Sequence, residues 1–309
     1  MCNTNSNKIY DTVIIGSGAA GMSAAIYSAR AMLDFVVVER SSASGGQILN
    51  TNEIDNYPGF IHKSGAELAD AMREHALEMG AEIMNRNVIS VKRDGELWKI
   101  SFEEGGELSA RSVIAATGAD HRALGVPGEQ DLIGRGVSYC ATCDGAFFKN
   151  KTVAVVGGGD TAAEEALYLS EMCDRVYLIH RRDKFRAKAY LVDAINNKEN
   201  IIPLLNSEVL EICGYTKVDK LVLDDGRNIE VDGVFVAVGT LPQNELFKDL
   251  AETDERGFLV AGEDCRTSAD GLFVAGDLRS KRLRQVVTAA ADGANAAASV
   301  EGYLERWKN

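Results

Sequence analysis

The alternation of apolar and polar stretches along the chain predicts strand-length segments followed by helices. Apolar runs at residues 12–15 and 152–156 have the length of buried strands, and each leads into a glycine-rich turn and an alanine-rich stretch of good helix formers. Further buried-strand runs lie at residues 112–118 and 271–277, and a last helix is expected from near Arg284 toward Trp307. The pattern therefore predicts an α/β fold.

The first strand is followed by the spacing G-x-G-x-x-G, and the next strand, at residues 35–39, ends in an acid. This βαβ order is typical of dinucleotide-binding folds. The glycines let the backbone approach a pyrophosphate, and the acid binds a ribose hydroxyl. The residues predicted to line this first nucleotide site are Gly16, Gly18, Ala19, Ala20, Gly21 and Glu39.

A second copy of the unit starts at residue 152, and in both copies 23 residues separate the first glycine from the end of the second strand. One G-x-G-x-x-G is a weak signal, but two copies in matching register favour two nucleotide sites. The second copy ends in a basic cluster, which would hold the 2′-phosphate that an acid would repel, so NADPH is predicted over NADH. A solvated basic turn is the alternative interpretation. The candidate residues are Gly157, Gly159, Asp160, Thr161, Ala162, His180, Arg181, Arg182 and Arg186.

A pair of cysteines, Cys140 and Cys143, lies between the two units and is the one closely spaced pair among six cysteines. Cysteines at this spacing can form a disulfide that opens on two-electron reduction. Half of a zinc site is the alternative, but zinc needs two more ligands, and the sequence has no second CxxC and only scattered histidines. We therefore predict a redox pair and no metal. Asp144 is either a proton shuttle or the turn residue of Asp-Gly.

Composition restricts the partners and the location of the protein. A formal net charge of −13 disfavours general binding to nucleic acid or to anionic membranes. No apolar stretch approaches the ~20 residues that a membrane-spanning helix needs. The polar residues 1–8 do not have the pattern of a signal peptide, so we expect a cytoplasmic protein. The length of 309 residues predicts two domains.

Taken in order, these motifs resemble the low-molecular-weight, bacterial-type NADPH-dependent thioredoxin reductases over nearly the whole chain. The resemblance also rests on Gly45-Gly46-Gln47, Gly276-Asp277, Arg284-Gln285 and the segments 56–59, 116–119, 127–129 and 180–187. One departure is Ala162 in place of the third glycine of the second fingerprint, which the motif allows.

The resemblance implies two Rossmann-like domains, with an FAD domain at residues 1–118 plus 246–309 and an inserted NADPH domain at residues 119–245 that carries the dithiol. Electrons would pass from NADPH to FAD, then to the disulfide, then to thioredoxin or a thioredoxin-like protein. Cys143 would be nearer the flavin, Cys140 would attack the partner, and Asp144 would be the acid. Rotation of the domains about hinges near 118 and 245 and a homodimer are also implied. Beside Glu39, the implied FAD contacts are Arg40, Gly45, Gly46, Gln47, Asn56, Thr117, Gly118, Gly276, Asp277, Arg284 and Gln285.

Other functions share parts of this pattern. A reductase with ferredoxin as donor would not need the second fingerprint and its arginines. A redox-sensing flavoprotein or a peroxide-forming oxidase would not need the intact dithiol. The basic segment 279–283 is left with two interpretations, a solvated turn or a contact with an acidic partner or with cofactor phosphates.

Overall fold

The computed structural model describes residues 8–51 and 53–307, and the chain forms two compact units. One unit ends at Asp120 and resumes at Leu241, and the other spans His121–Thr240. The second unit is thus inserted into the first. No helix in these described residues is long and apolar enough to span a membrane.

The first unit contains a seven-stranded sheet with the order β3-β2-β1-β6-β5-β4, in which β17 also pairs with β6. Strand β5 pairs antiparallel with both β4 and β6 at one edge, and the other pairings are parallel. The strands are β1 (Ile9–Ile15), β2 (Phe35–Glu39), β3 (Ile83–Asn85), β4 (Val88–Asp94), β5 (Leu97–Phe102), β6 (Glu107–Ala115) and β17 (Leu272–Val274). The helices are α1 (Ala19–Arg30), α2 (Gly65–Glu78) and α6 (Val286–Leu304), with short 3-10 turns at Gly46–Asn50, Gly276–Leu278 and Glu305–Trp307.

Both faces of this sheet are buried, which explains the unbroken apolar run in its central strand. In β1, Val13 and Ile15 belong to one hydrophobic cluster, and Ile14 belongs to a second cluster together with residues of α1 and α6. A strand that is covered on both faces needs apolar residues at every position. The residues at the end of this strand are therefore placed by packing on either side.

The inserted unit is organised in the same way around a five-stranded parallel sheet with the order β11-β10-β9-β15-β8. These strands are β8 (Val137–Ser138), β9 (Thr152–Val156), β10 (Arg175–His180), β11 (Ile201–Leu205) and β15 (Gly233–Val236). The helices are α3 (Ala141–Asp144), α4 (Asp160–Ser170) and α5 (Ala189–Asn196), with 3-10 turns at Gln130–Leu132 and Gly145–Phe148. A three-stranded antiparallel sheet adds β12 (Val209–Gly214), β13 (Val218–Leu223) and β14 (Asn228–Glu230). The two segments where the chain passes between the units pair as short strands, β7 (Ala119–His121) and β16 (Thr240–Pro242).

The basic segment 279–283 is partly buried in the first unit, which contradicts both interpretations given above for its leading residues. Arg279 donates from Nη2 to Asp292 Oδ1 at 2.8 Å, and Lys281 Nζ lies 2.9 Å from Asp292 Oδ2. The side chains of Arg279 and Lys281 are only 9% and 7% exposed, and that of Asp292 is 4% exposed. A buried carboxylate needs such partners, because an unpaired charge in the interior is costly. The segment therefore anchors α6 through Asp292.

Helices α1 and α6 approach each other closely because a glycine stands at their contact. A Cβ atom placed on Gly293 would lie 2.1 Å from the carbonyl oxygen of Ala20 and 2.8 Å from the amide nitrogen of Ala24. Both alanines are buried. A methyl group at this point would force the two helices apart.

We expect Gly293→Ala to destabilise the protein by about 2–3 kcal/mol, since the backbone atoms of α1 cannot move aside as a flexible side chain could. The matched control is Gly302→Ala in the same helix, where a new Cβ would meet only Arg266 Nη2, at 3.9 Å. Helix propensity alone should make the control neutral or more stable by up to ~1 kcal/mol. Thermal unfolding followed by circular dichroism distinguishes the two, and equal midpoints would contradict this account of the contact.

Candidate active site

The turn between β1 and α1 brings three backbone segments into contact. A Cβ on Gly16, whose φ is +106°, would lie 2.4 Å from the carbonyl oxygen of Ala116, and a Cβ on Gly21 would lie 1.9 Å from the carbonyl oxygen of Gly16. Helix α1 begins at Ala19 with Gly18 as its N-cap and no side-chain cap. Its first-turn amides are thus left for an anion, as a pyrophosphate site requires.

Glu39 lies at the end of β2, beside this turn. Its Oε2 accepts hydrogen bonds of 2.8 Å from both the amide and the hydroxyl of Ser17, and its Oε1 accepts one of 2.8 Å from the amide of Ser41. A carboxylate has about four acceptor positions, so lone pairs remain for ribose hydroxyls. Arg40, the next residue, is exposed. Position and chemistry therefore suit a nucleotide ribose.

The segment Gly45-Gly46-Gln47 folds back against the same turn. The amide of Gly45 donates to the carbonyl of Ser17 at 3.0 Å, and a Cβ on Gly46 would lie 3.7 Å from the Cα of Gly18. Gln47 Nε2 donates to Asp120 Oδ1 at 2.7 Å. The structure therefore brings together two predicted segments that are separated by more than twenty residues of sequence.

Two residues that the sequence analysis missed, Asp120 and Gln243, connect to this region. Gln243 Nε2 donates to Asp120 Oδ2 at 2.7 Å, and the carbonyl of Gln243 accepts the hydroxyl of Thr117 at 2.6 Å. Gly118, beside Thr117, has a positive φ of +74° and open space around it. No motif contains Asp120 or Gln243, so only the folded chain reveals them.

The second group of predicted FAD contacts lies between the last strand and the last helix. Gly276 has a φ of +76°, and a Cβ there would lie 2.8 Å from the Cβ of Ala20 in α1. Burial raises the pKa of Asp277, and its Oδ1 is buried without a hydrogen-bond partner. Burial lowers the pKa of Arg284, whose guanidinium lies 3.9 Å from the ring centre of Phe258.

Gln285 caps the N-terminus of α6, and its Oε1 accepts from Asn56 Nδ2 at 3.0 Å. With the exception of the exposed Arg40, the predicted residues of the first site thus lie around the turn after β1 or at the start of α6. The uncapped amides of α1, the close glycines and the buried Oδ1 of Asp277, which has no hydrogen-bond partner among the described residues, fit a dinucleotide with a polyol chain.

The second fingerprint repeats this geometry in the inserted unit. A Cβ on Gly157 would lie 2.4 Å from the carbonyl oxygen of Ala237, and one on Gly158 would lie 2.2 Å from the ring of His180. Helix α4 begins at Asp160 with Gly159 as its N-cap and no side-chain cap. Thr161 is exposed, whereas Ala162 is fully buried, so the side chain that replaces the third glycine packs inward.

The three arginines lie on a loop that returns to this turn. The amide of Arg186 donates to the carbonyl of Gly158 at 2.7 Å. Burial lowers the pKa of His180, and the charges of Arg186, Arg182 and Arg181 lower it further. His180 is therefore neutral at pH 7, and its buried Nε2 has no hydrogen-bond partner. Three exposed guanidinium groups beside an uncapped helix start fit a phosphate-bearing ribose.

The cysteine pair forms a disulfide, and the two Cα atoms are 5.3 Å apart. Cys140 is the N-cap of the short helix α3, and its carbonyl accepts the amides of Cys143 and Asp144 at 3.2 and 3.1 Å. Ser138 links both ends of this turn, since its hydroxyl accepts the amide of Cys140 at 3.1 Å and donates to Asp144 Oδ2 at 2.6 Å. Burial raises the pKa of Asp144, and the bond from Ser138 offsets only part of this effect.

Glu129, part of the Pro127-Gly-Glu motif, fixes the segment that precedes the disulfide. Its carboxylate accepts the amides of Leu124 and Gly125 at 2.9 and 2.8 Å and the hydroxyl of Tyr139 at 2.9 Å. Tyr139 directly precedes Cys140. The motif therefore has a structural explanation: it fixes the segment that leads into the redox pair.

A further acid, Glu165, contacts the disulfide turn. The sequence analysis did not predict it as a residue of this site. Its Oε1 accepts the amide of Ala141 at 3.4 Å, and its Oε2 is buried without a hydrogen-bond partner. Burial raises the pKa of Glu165 to about 7, against the opposing effect of the Ala141 amide. The available signal was an acid on the apolar face of α4, among the buried positions 162, 166 and 169.

The other described cysteines do not form part of this centre. Burial raises the pKa of Cys173 to about 11 and that of Cys265 to about 12, and it also raises the pKa of Cys213. Thiols of this kind are poor nucleophiles at neutral pH. Cys2 lies outside the described residues. The disulfide pair is the one set of described cysteines arranged for exchange chemistry.

The chain matches the family model of the pyridine nucleotide-disulphide oxidoreductases over residues 10–293. The two nucleotide-binding folds and the adjacent disulfide are those of this class, and the chain belongs to it.

Comparison with individual proteins narrows the class. The thioredoxin reductase of Listeria innocua is 46% identical over 307 residues, which are 97% of this chain and 96% of that protein. The thioredoxin reductase of Bacillus subtilis is 44% identical over 304 residues, 96% of each chain. The crystal structure of thioredoxin reductase from Streptococcus pyogenes has a TM-score of 0.92 at 43% identity and covers 97% of this chain and 100% of its own.

The protein belongs to the low-molecular-weight, bacterial-type thioredoxin reductases and is an NADPH-dependent flavoprotein disulfide reductase with FAD and NADPH as cofactors. The predictions of the α/β fold with two Rossmann-like domains, of the enzyme class and of the cofactors are confirmed. Which residues contact each cofactor, which domain holds it and which cysteine has which role stay predictions.

Proposed function

We propose that this enzyme reduces the disulfide of thioredoxin, or of a thioredoxin-like protein, through the Cys140–Cys143 pair. The observation that carries the proposal is this disulfide, which lies in the same unit as the arginine-flanked second fingerprint. The relatives named thioredoxin reductase match nearly the full chain and support the choice of acceptor.

The first unit, which corresponds to the predicted domain of residues 1–118 plus 246–309, is proposed to hold FAD, which when bound supplies two-electron transfer between nicotinamide and disulfide. The amides at the start of α1 would bind its pyrophosphate, and Glu39 would accept ribose hydroxyls. Asp277 is suited to accept a hydrogen bond from a hydroxyl of the polyol chain, because its buried Oδ1 lies 3.8 Å from Lys281 Nζ but accepts no hydrogen bond from the described part of the protein. Asn56, Gln285 and Arg284 would complete the site at the start of α6.

The inserted unit, which corresponds to the predicted domain of residues 119–245, is proposed to hold NADPH. The uncapped start of α4 would bind the pyrophosphate. Arg181, Arg182 and Arg186 would bind the 2′-phosphate, since each is exposed and all three lie close enough to His180 to lower its pKa. Keeping His180 neutral avoids a fourth charge in the buried part of the site.

At the redox pair, we assign Cys140 as the attacking thiol, Cys143 as the thiol nearer the flavin and Asp144 as the acid. The Cys140 thiolate would attack one sulfur of the partner disulfide, and the other partner sulfur would leave with a proton from Asp144. Cys143 would then attack Cys140, reform the internal disulfide and release the partner as a dithiol. The direction of the pKa shift of Asp144 supports its role, because burial makes this carboxyl hold a proton more readily than an exposed one does.

The alternative functions considered from the sequence are less well supported. A ferredoxin-dependent enzyme has no need of three arginines beside the second fingerprint, and an oxidase or sensor has no need of a disulfide bordered by a buried acid. Rotation of the two domains between half-reactions remains part of the proposal, carried by the resemblance.

We expect the double variant Arg181→Ala/Arg182→Ala to raise the KM for NADPH by at least about tenfold, since each charge-assisted hydrogen bond contributes about 1.5–3 kcal/mol. The KM for NADH should change little. Stopped-flow bleaching of the flavin under anaerobic conditions measures both. Lys184→Ala removes one charge from the same exposed loop and is the control. An equal rise in the KM for NADH and for NADPH would show that these arginines do not recognise the 2′-phosphate.

Changing Cys140 or Cys143 to Ser is expected to lower thioredoxin reduction about a thousandfold, because one thiol cannot complete the exchange. Bleaching of the flavin by NADPH should persist in both variants. The half-buried Cys213→Ser is the control and should keep full activity. If Cys140→Ser still reduces thioredoxin, electrons leave the enzyme by another route.

We also propose a homodimer that buries an apolar groove of the first unit. The groove has a volume of about 500 Å³, and its lining includes Ile26, Tyr27, Tyr57, Phe60 and Met72. Tyr27 is 48% exposed. Sedimentation velocity at micromolar concentration should show a dimer, and Tyr27→Glu should shift it toward monomer. A monomeric wild-type protein would exclude this assembly.

A further inference from the structure

The turn that carries both redox sulfurs contacts a buried acid that has no part in the scheme above. On the inward face of α4, Ala162, Ala166 and Leu169 are fully buried, and Glu165 occupies the same face. One carboxyl oxygen accepts the amide of Ala141, the residue after Cys140, and the other oxygen is buried without a hydrogen-bond partner. An ionised carboxyl group in such a place costs the folded protein stability, because one of its oxygens has no hydrogen-bond partner in the described structure. A group of this kind needs an explanation, either that it is protonated or that it has a functional role.

The disulfide turn is thus bordered by two partly buried carboxyl groups. Asp144 lies at the C-terminal end of the turn and accepts a hydrogen bond from Ser138. Glu165 accepts the amide of Ala141 at the N-terminal end. Burial raises the pKa of both, that of Glu165 to about 7. A negative charge at either end disfavours a thiolate between them, because like charges repel strongly where water is excluded.

We propose that Glu165 is a positioning residue that sets how readily the reduced Cys140–Cys143 pair forms a thiolate. The proposal rests on the proposed function of that pair. Reduction breaks the S–S bond with two electrons, which the NADPH-dependent activity supplies. The two sulfurs then take up two protons to give a dithiol or one proton to give a thiol and a thiolate. A protonated Glu165 favours the thiolate form, and an ionised Glu165 favours the full dithiol. The acid and the dithiol therefore titrate as a coupled set.

The groups around Glu165 support this assignment. The elements packed on α4 are α3, α5, β9, β10 and β11. Their titratable residues, apart from the redox pair, are Asp144 on α3, Tyr190 and Asp193 on α5, and Arg175, Tyr177 and His180 on β10. None of these charges contributes to the raised pKa of Glu165, which follows from burial against the Ala141 amide. No neighbouring cation stabilises its ionised form, so a negative charge there acts on the dithiol without compensation.

The test measures the thiolate directly. The holoenzyme is reduced with dithiothreitol, and the rate of alkylation of Cys140 and Cys143 by iodoacetamide is followed from pH 5.5 to 9.5 by peptide mass spectrometry. Glu165→Gln should lower the apparent pKa of the reactive thiol by about one unit, because the variant cannot carry the opposing charge. At pH values above the pKa of Glu165, about 7, but below the pKa of the thiol, alkylation should be about threefold faster, since more thiolate forms but each thiolate is somewhat less nucleophilic. Below about pH 7 the two rates should converge, because Glu165 is then protonated in the wild-type protein as well.

Two further variants keep the test decisive. Glu165→Leu also removes the charge and should give the same shift, and it avoids burying an unpaired amide that would destabilise Glu165→Gln. Glu171→Gln makes the same charge change at the exposed C-terminal end of α4 and should keep the wild-type profile. Thermal midpoints and flavin content establish that each variant is folded.

A wild-type alkylation profile in both folded Glu165 variants would overturn the proposal, as would an equal shift in Glu171→Gln. Because alkylation needs neither NADPH nor a protein acceptor, the result is independent of the acceptor. A shift in the Glu165 variants of an enzyme that fails to reduce thioredoxin would support the role of Glu165 and count against the proposed acceptor alone.

Discussion

The first unit depends on how closely its backbone segments approach the turn after β1. Gly16 lies against the carbonyl of Ala116, Gly21 against the carbonyl of Gly16, and Gly293 of α6 against the carbonyl of Ala20. Each contact is too short for a side chain, so strand, helix and C-terminal helix can share this point only with glycine. The same approach leaves the first amides of α1 open toward a ligand. Packing and anion binding therefore have one cause, and a change that loosens the first also weakens the second.

In the inserted unit, glycines again allow the backbone segments to approach closely. A second constraint is added there, because acidic side chains are partly buried beside the cysteine pair. Ser138, Asp144 and Glu165 place polar groups in an interior that would otherwise be apolar, at a cost to stability. The same burial raises the pKa of both carboxyl groups, that of Glu165 to about 7. Burial thus makes an ordinary acid hold its proton more readily, which the proposed role of Asp144 as proton donor requires.

Much of the fold was predictable because its signals are local. The strand at Phe35–Glu39 was predicted with its observed bounds, and the second fingerprint leads from β9 into α4 as expected. Buried strands need unbroken apolar runs, and the turns need glycine, so both leave marks in the sequence. The basic segment 279–283 was misinterpreted because its partner, Asp292, lies in the following helix. A sequence shows which residues are charged, but it does not show whether a charged side chain is solvated or paired in the interior.

The sequence by itself determined the two Rossmann-like units and the identity of the cysteine pair, because each depends on residue types at fixed short spacings. The preference for a phosphate at the second site rests on the same kind of spacing and stays a prediction. The tertiary structure decided which distant residues complete each site. Asp120 with Gln243, the contact of Glu165 with the Ala141 amide, and the anchoring of α6 by Arg279 and Lys281 join segments whose separation carries no signal. Burial also raised the pKa of Asp144 and of Glu165, and such a shift follows from the surroundings of a group, which the sequence does not show.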